Sequence, residues 1–315
     1  MSYWTRHSID RVQAFTRRTR EGKAVTTMEF EILATGFCFL EAPRADDEGL
    51  WFTDLLLGGL YRWRRSVGVE RFLPDRKHIG GVALNHDGKI VCGGPGGLVW
   101  FDPADGRSGM LLDAIDGKPL AGANDMLPDG RGGLIFGSLT TAESAANAAT
   151  NSLYRLDADG RTTLLVDGLK IANGIGLSPD GRTLYHNESL VGTFAYNVQD
   201  DGSLGPSRLF WEQDNGDGLA VDSEGGIWIA CFSGAELVRL LPDGSVDRRV
   251  LLPHRVVSSV CFGGADWRDL YVTTAGDDGV AALLRGEEPP QQAGIFLARC
   301  DIPGLPVART RFRIG

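Results

Sequence analysis

Four oxygen-bearing side chains stand at matching places in distant parts of the sequence: Glu41, Asn124, Asn173 and Asp217. Each lies nine to eleven residues before an apolar residue that opens a strand-like segment. Those apolar residues are, in the same order, Leu50, Leu134, Leu184 and Ile227. Carboxylate and amide oxygens brought to one point are the ligands of a hard divalent cation. Without a cation, burying Glu41 beside Asp217 would be costly, so this spacing predicts a metal centre.

The apolar positions belong to a repeat that occurs six times. Each copy has a strand, an Asp/Gly turn and a second strand that opens with Leu or Ile, as in "NHDGKIVCGG" and "SPDGRTLYHNE"; another hairpin follows. The opening residues are Leu50, Ile90, Leu134, Leu184, Ile227 and Leu270, at spacings of 40, 44, 50, 43 and 43 residues. Four short strands in about 43 residues are typical of a propeller blade. The sequence therefore predicts an all-β fold, a six-bladed β-propeller.

The repeat also predicts the domain organisation. The segment "MEFEILATG" precedes the first copy, and we expect it to join the last blade and close the ring, which protects strand edges. Residues 28–315 are predicted to form this single propeller domain. Residues 1–27 are predicted to form an N-terminal arm, for which a flexible conformation is one alternative. The insertions at 140–151 and 276–292 are expected to be loops at the rim or the mouth.

The propeller places the four oxygen-bearing residues together. The first strand of each blade lines the central channel, so a residue just ahead of it is expected at one mouth, near the axis. In the other two blades this register falls on Gly80 and Gly81 and on residues 258–260, which are mostly small. Asn and Asp beside Gly are also common turn residues. The matched register of four copies favours a ring of ligands around an open substrate space.

Composition excludes several functional classes. The chain has 315 residues, 43% hydrophobic, with a net charge of -9, which argues against nucleic-acid binding. No apolar window of about 18 residues predicts a membrane span, and the N-terminus lacks a secretory apolar stretch. Five widely spaced cysteines are expected to be buried reduced thiols, which predicts a reducing, cytoplasmic location. The partner is predicted to be a small molecule, and the oligomeric state is not indicated.

The blocks "LEAPRADDEGLWFTD", "GANDMLPDGRGGLIFGSL", "IANGIGLSPDGRTLYHNES" and "GDGLAVDSEGGIWIACFSGAELVRL" resemble the SMP-30/gluconolactonase/luciferin-regenerating-enzyme-like (LRE) family. The resemblance implies a six-bladed propeller with one divalent metal in its channel and hydrolysis of lactones, often sugar lactones. It implies Glu41, Asn173 and Asp217 as metal ligands. It also implies that Asn124 contacts substrate or water.

The chain departs from the pattern of that family around the predicted site. The first block usually reads Glu-Gly-Pro followed by a large apolar residue and Trp, whereas here Arg44 follows Pro43. Sugar-lactone members commonly carry Arg where this chain has Gly122, and Gly where it has Met126. We therefore expect Arg44, Met126 and Asn124 to contact the substrate, which is either a sugar lactone or a less polar one.

The predicted mechanism is hydrolysis by metal-activated water. Asp217 is the candidate general base and Asn124 stabilises the oxyanion, so these two residues are the predicted catalytic pair. The scattered histidines lack a Gly-x-Ser-x-Gly partner motif, although His78 is expected to line the pocket. All-oxygen ligands favour one Ca²⁺, with Mg²⁺, Mn²⁺, Zn²⁺ and Fe²⁺ as alternatives.

Three other functions stay open at this point. One is a phosphotriesterase-like hydrolase on the same metal, and another is a non-hydrolytic enzyme, an isomerase or dehydratase, that uses the metal as a Lewis acid. The third is a non-catalytic binding propeller, because a fold alone does not determine function. A binding propeller has no need for Glu41 and Asp217 to converge, so the matched register favours an enzyme.

Overall fold

The computed structural model describes residues 11–13, 25–26, 28–140 and 150–315. Across these residues the chain forms six sheets of four or five strands, one for each copy of the repeat, and the four main strands of each sheet are antiparallel. We number the sheets as blades I to VI in the order of their inner strands. The predicted all-β, six-bladed propeller is confirmed.

The strands follow the same order from the axis outward in every blade. The inner strands are Leu40–Ala45, Val82–Leu84, Gly122–Pro128, Ile171–Leu177, Gly216–Val221 and Val256–Gly263. The second strands are Leu50–Asp54, Ile90–Cys92, Leu134–Ser138, Thr183–Ser189, Ile227–Cys231 and Asp269–Ala275. The third strands are Leu60–Arg64, Leu98–Phe101, Asn151–Leu156, Gly192–Val198, Glu236–Leu240 and Ala293–Arg299. The outer strands are Gly68–Phe72, Ser108–Leu112, Thr162–Leu169, Leu204–Trp211, Val246–Leu251 and, for blade VI, Glu29–Phe37.

The blades surround one channel. Each inner strand contacts the next around the ring, and that of blade VI contacts that of blade I. The outer strand of blade VI is the N-terminal segment Glu29–Phe37, which pairs antiparallel with Ala293–Arg299. Of the predicted N-terminal arm, Arg11–Gln13 pairs with this outer strand and Val25–Thr26 runs parallel to the outer strand of blade V. The rest of the arm lies outside the described residues.

The core lies between the blades. The six apolar residues of the repeat, each the first or second residue of a second strand, are at most 2% exposed, so the regular spacing of the repeat reflects the burial of these positions. Between blades III and IV, for example, Ile135, Leu153 and Leu184 form one apolar cluster. His186 of blade IV is fully buried, and neither of its ring nitrogens has a hydrogen-bond partner among the described residues.

Four inner strands carry a β-bulge at the same level. Their pairing with the second strands shifts between Glu41 and Arg44, between Ala123 and Met126, between Ala172 and Ile175, and between Gly216 and Leu219. The predicted ligands thus lie within the inner strands, not just ahead of them. A bulge inserts an extra residue and redirects a side chain, which explains this difference.

The C-terminal segment, residues 303–315, crosses the other end of the channel. It bonds to blade V, where the Leu305 amide donates to the Val221 carbonyl. It then reaches blade II, where the Thr310 amide donates to the Leu84 carbonyl. Blades V and II are opposite each other in a ring of six. Residues 305–308 therefore lie across the base of the channel, where they close a cavity of about 300 Å³ together with Ile175, Leu219 and other inner-strand residues.

The two predicted insertions lie between the second and third strands of blades III and VI. The insertion at 276–292 contains the short helix Gly279–Leu284, and its first amide, on Gly276, donates to the Cys38 carbonyl beside the start of blade I. Of the insertion at 140–151, residues 141–149 lie outside the described residues. Short extra strands occur at Gly94–Pro95, Ala114–Ile115 and Lys118–Pro119. No helix in the described parts is long and apolar enough to span a bilayer.

The cysteines agree with the expectation from the sequence. All five are free and buried, and burial raises the pKa of the Cys92 thiol to about 12.

Candidate active site

Two acidic side chains meet near the start of the inner strands, at the end of the channel opposite the C-terminal segment. Glu41 is 6% exposed and Asp217 is 7% exposed, and their carboxyl groups are within hydrogen-bonding reach of each other. Burial first, and then the charges of Asp217 and Asp125, raise the pKa of Glu41 well above its ordinary value. Burial and Asp125 do the same to the pKa of Asp217. The structure therefore brings together the two carboxylates that the sequence predicts.

The two predicted amides lie beside each other in blades III and IV. The Nδ2 of Asn124 donates to the Oδ1 of Asn173 at 2.6 Å and lies 2.9 Å from the Ala172 carbonyl oxygen. The Nδ2 of Asn173 donates to the Ser189 hydroxyl at 2.8 Å. This second bond orients the amide of Asn173, and its oxygen keeps one lone pair for a further partner.

Polar side chains of the second strand of blade IV and of the inner strand of blade VI hold these bulges in place. The Ser189 hydroxyl donates to the Gly216 carbonyl at 2.6 Å, which links blade IV to the strand that carries Asp217. The Nδ2 of Asn187 donates to the Asp217 carbonyl at 2.7 Å. At the ring closure, the Ser258 hydroxyl donates to the Leu40 carbonyl at 2.6 Å, directly before Glu41. The candidate site is thus positioned by rigid neighbouring blades.

Glycines allow the inner strands to come this close. A Cβ on Gly218 would lie 2.0 Å from the Ser259 hydroxyl, and one on Gly174 would lie 2.5 Å from the Asp217 carbonyl. In blade II, a Cβ on Gly80 would lie 2.0 Å from the amide oxygen of Asn124. The small residues that share the register of the ligands are therefore required by packing.

Sequence reasoning missed Asp125. Its side chain is 5% exposed, burial raises its pKa to about 6, and its charge acts on both Glu41 and Asp217. It directly follows Asn124 on the same bulge. The Asn-Asp pair in "GANDM" was visible, but strand alternation alone does not send two successive side chains toward one site, whereas a bulge does.

Arg44 lies inside the channel and not at its mouth. One guanidinium nitrogen, Nη2, donates to the Met126 carbonyl at 2.6 Å, and the other, Nη1, donates to the Pro43 carbonyl at 2.8 Å. Its charge lowers the pKa values of Glu41 and Asp125 against the larger effect of burial. Arg44 also lines the cavity at the base. It therefore separates the carboxylates from that cavity.

The remaining predicted substrate contacts differ in placement. Met126 is fully buried in the apolar cluster that holds Ala83 and Phe136, so its side chain packs the core and is not placed for the predicted substrate contact. His78 is exposed in the loop before Gly80, with φ of 57°, and its amide donates to the Leu55 carbonyl. Its predicted pocket-lining role stays a prediction.

The donor set fits a hard cation. Among the described residues, no three His, Cys, Asp or Glu side chains are grouped closely enough to hold a metal by themselves. Here the ligands would be two carboxylates and an amide oxygen, from Glu41, Asp217 and Asn173. Two buried carboxyl groups this close need either a shared proton or a cation, because their mutual repulsion is not screened by water.

Comparison with known proteins identifies the family. A sequence model described as the SMP-30/gluconolactonase/LRE-like region matches residues 39–276. The chain belongs to this family. The match spans the inner strands of all six blades and therefore every residue of the candidate site. The resemblance noted in the sequence is confirmed.

The family assignment is supported by curated relatives and by solved structures. A pentonolactonase of Haloferax volcanii is 31% identical over 286 residues, which cover 86% of this chain and 93% of the relative. A 6-deoxy-6-sulfogluconolactonase of Pseudomonas putida is 28% identical and covers 82% of this chain and 89% of its own length. The structure of a calcium-binding protein, regucalcin from Agrobacterium tumefaciens, shares the fold with a TM-score of 0.75 and 22% identity, and covers 90% of this chain and 97% of its own.

Proposed function

We propose that this protein is a divalent-metal-dependent hydrolase that opens lactones. The observation that supports the proposal is the buried pair Glu41 and Asp217, together with the hydrogen-bonded amides Asn124 and Asn173 at the equivalent bulges of the other inner strands. The relatives named pentonolactonase and 6-deoxy-6-sulfogluconolactonase support a lactone as the substrate class. Ca²⁺ is the proposed cation, and Mg²⁺, Mn²⁺, Zn²⁺ and Fe²⁺ are the alternatives to be tested.

Each residue of the candidate site has a distinct role in the proposed hydrolysis. Glu41, Asn173 and Asp217 would hold the cation, which when bound would polarise a carbonyl group and lower the pKa of a water molecule. Asp217 accepts the proton of the attacking water on its carboxylate, and buried carboxylates with raised pKa are suited to that role. Asn124 stabilises the oxygen on which negative charge develops by giving up one of its two present hydrogen bonds, to Asn173 Oδ1 or to the Ala172 carbonyl, and donating that N–H to the substrate. The ring C–O bond of the ester then breaks, and the alkoxide leaving group takes the proton that Asp217 accepted from water, which restores the Asp217 carboxylate.

The surroundings of Gly122 support a substrate less polar than a typical sugar acid. Gly122 pairs with Pro95 of the short strand Gly94–Pro95. A Cβ at Gly122 would lie 3.1 Å from the Leu139 carbonyl and 3.3 Å from that of Gly94. This chain therefore presents neither an Arg side chain nor free space at a position where sugar-lactone members commonly carry Arg.

The test is acid release from a lactone panel with chelated and metal-reloaded protein. The panel contains aldonolactones, alkyl-substituted lactones and an organophosphate triester, and each divalent cation is added back separately. We expect lactone turnover that chelation removes and Ca²⁺ restores, with the alkyl-substituted lactones turned over at least as fast as the aldonolactones. Turnover that survives chelation, or turnover of the triester alone, would contradict the proposal.

A further inference from the structure

Arg44 spans the channel between two blades that are not neighbours. It belongs to the inner strand of blade I, and its Nη2 bonds to the Met126 carbonyl of blade III. Blade II lies between them and presents Gly80 and Gly81 at this level. These glycines leave room for Asn124 and Met126 of blade III to pack against blade II, which brings the Met126 carbonyl within reach of Arg44.

The positive charge of Arg44 acts on two acidic groups, Glu41 and Asp125, without forming a direct ion pair with either. Glu41 is on the same bulge as Arg44, and Asp125 directly precedes the residue whose carbonyl accepts from it. Asp217 lies next to Glu41. The two bonds to backbone carbonyls hold the guanidinium still, while its buried Nε has no hydrogen-bond partner among the described residues. With all groups ionised, three carboxylates and one guanidinium sum to the charge that a divalent cation neutralises.

We propose that the immobilised positive charge of Arg44 offsets the negative charge of Asp125 and thereby lowers the affinity of the site for a divalent metal. The inference rests on the proposed function, because it concerns the same metal site. Arg44 is a positioning residue in this role and does not bind the metal. Its charge keeps the affinity moderate, whereas a site with three uncompensated carboxylates would bind a divalent cation more tightly.

The test is calorimetric titration of chelator-stripped protein with CaCl₂. Arg44→Gln removes the charge but keeps an amide donor for the Met126 carbonyl, and we expect it to bind Ca²⁺ about tenfold more tightly than the wild type. Asp125→Asn should bind about tenfold more weakly, and the double variant should return to within about threefold of the wild type. Arg44→Lys, which keeps the charge, should also stay within about threefold.

The matched control is Arg62→Met, which removes an Arg of the same blade that pairs with Asp46 instead. Its Ca²⁺ affinity should equal that of the wild type. Unchanged or weaker binding by Arg44→Gln would overturn the inference, and so would unchanged binding by Asp125→Asn if Arg44→Gln fails to fold. If the wild type binds no divalent cation, the metal centre itself is rejected. If the wild type binds Ca²⁺ and Arg44→Gln binds it with the same affinity, only the role of Arg44 is rejected.

Discussion

At the scale of single residues, the candidate site is an arrangement that opposes folding unless a ligand is present. Glu41 and Asp217 are buried against each other, and Asp125 adds a third carboxyl group. Burial of like charges costs free energy that other parts of the protein must offset. Replacing one of these carboxyl groups by a neutral side chain is therefore expected to stabilise the metal-free protein and to lower its activity.

Asp217→Asn tests whether stability without metal and lactone turnover change in opposite directions. The amide relieves the repulsion but removes the proposed base and one anionic ligand, so we expect lactone turnover to fall by about a thousandfold or more. The metal-free variant should melt at the same temperature as the wild type or a few degrees higher. Saturating Ca²⁺ should stabilise the wild type by about 2.7 kcal/mol at a hundred times its Kd, but not the variant. Thermal melts with and without Ca²⁺ provide the measurement.

Glu48→Gln is the control for that experiment, because the Glu48 side chain is 61% exposed and pairs with Arg62 instead of with a residue of the candidate site. It should retain turnover and the Ca²⁺-induced shift. An Asp217→Asn variant that still hydrolyses lactones at the wild-type rate would show that the reaction takes place elsewhere.

His186 predicts a pH dependence of stability. Burial lowers its pKa to about 3, against an ordinary value of 6.5. Below pH 6.5 the unfolded chain binds a proton that the folded protein excludes, so the contribution of this group is lost as pH falls from 6.5 toward 3. At pH 5 the loss is about 2 kcal/mol relative to pH 7.

Replacing the imidazole isolates this effect from that of the carboxyl groups. His186→Leu should lose less stability than the wild type between pH 7 and pH 5, as measured by urea unfolding at both values. Leu184→Met, in the same strand, changes no ionisable group and should leave the pH dependence unchanged. Equal pH dependence in the wild type and in His186→Leu would contradict the prediction.

At the scale of elements, the sequence predicted the strands and the matched register, but not how the strands aim their side chains. The repeat reports buried positions such as Leu50 and Ile227, because burial recurs with the blade period. It placed Glu41 and Asn173 ahead of the strands, because a bulge has no strong signal in a single sequence. Asp125 was missed for the same reason, and Met126 was expected in the pocket although its side chain packs between blades. The path of residues 303–315 depends on contacts remote in sequence, which no local pattern encodes.

The inner-strand glycines make a prediction at this scale. Gly218→Ala would place a Cβ 2.0 Å from the Ser259 hydroxyl and 2.8 Å from its Cα, so the strands of blades V and VI must separate. We expect a loss of about 1–3 kcal/mol in unfolding free energy and a large loss of Ca²⁺ affinity, because the adjacent Asp217 moves with the strand.

Gly205→Ala is a suitable comparison, because its nearest neighbour is 3.3 Å away at the end of a glutamine side chain. Denaturant unfolding and Ca²⁺ titration of both variants should separate a local packing effect from a general cost of replacing glycine. Equal effects of the two substitutions would rule out the proposed packing constraint.

At the scale of the whole molecule, two terminal segments complete the ring. Glu29–Phe37 supplies the outer strand of blade VI, and residues 303–315 join blade V to blade II across the base. Asn85, which is fully buried, anchors the second link. Its Oδ1 accepts from the Phe312 amide and the Thr310 hydroxyl, and its Nδ2 donates to the Phe312 carbonyl.

Asn85→Ala should release the end of the chain. It leaves the amide and carbonyl of Phe312 without these partners in a buried place, so we expect a loss of about 2–4 kcal/mol in unfolding free energy. Limited proteolysis should then remove the C-terminal residues faster than in the wild type. The exposed Asn197→Ala is the control, and identical digestion of both variants would contradict the anchoring role.

The segment across the base determines how small molecules can reach the candidate site. A channel open at both ends would let a reactant enter at one end and the reaction product leave at the other. Here residues 305–308 cover the lower side, and the guanidinium of Arg44 stands above them. Under the proposed lactone hydrolysis, substrate and product would therefore use the same open end of the channel, and the product, a hydroxy-acid anion, would have to leave before the next lactone could bind.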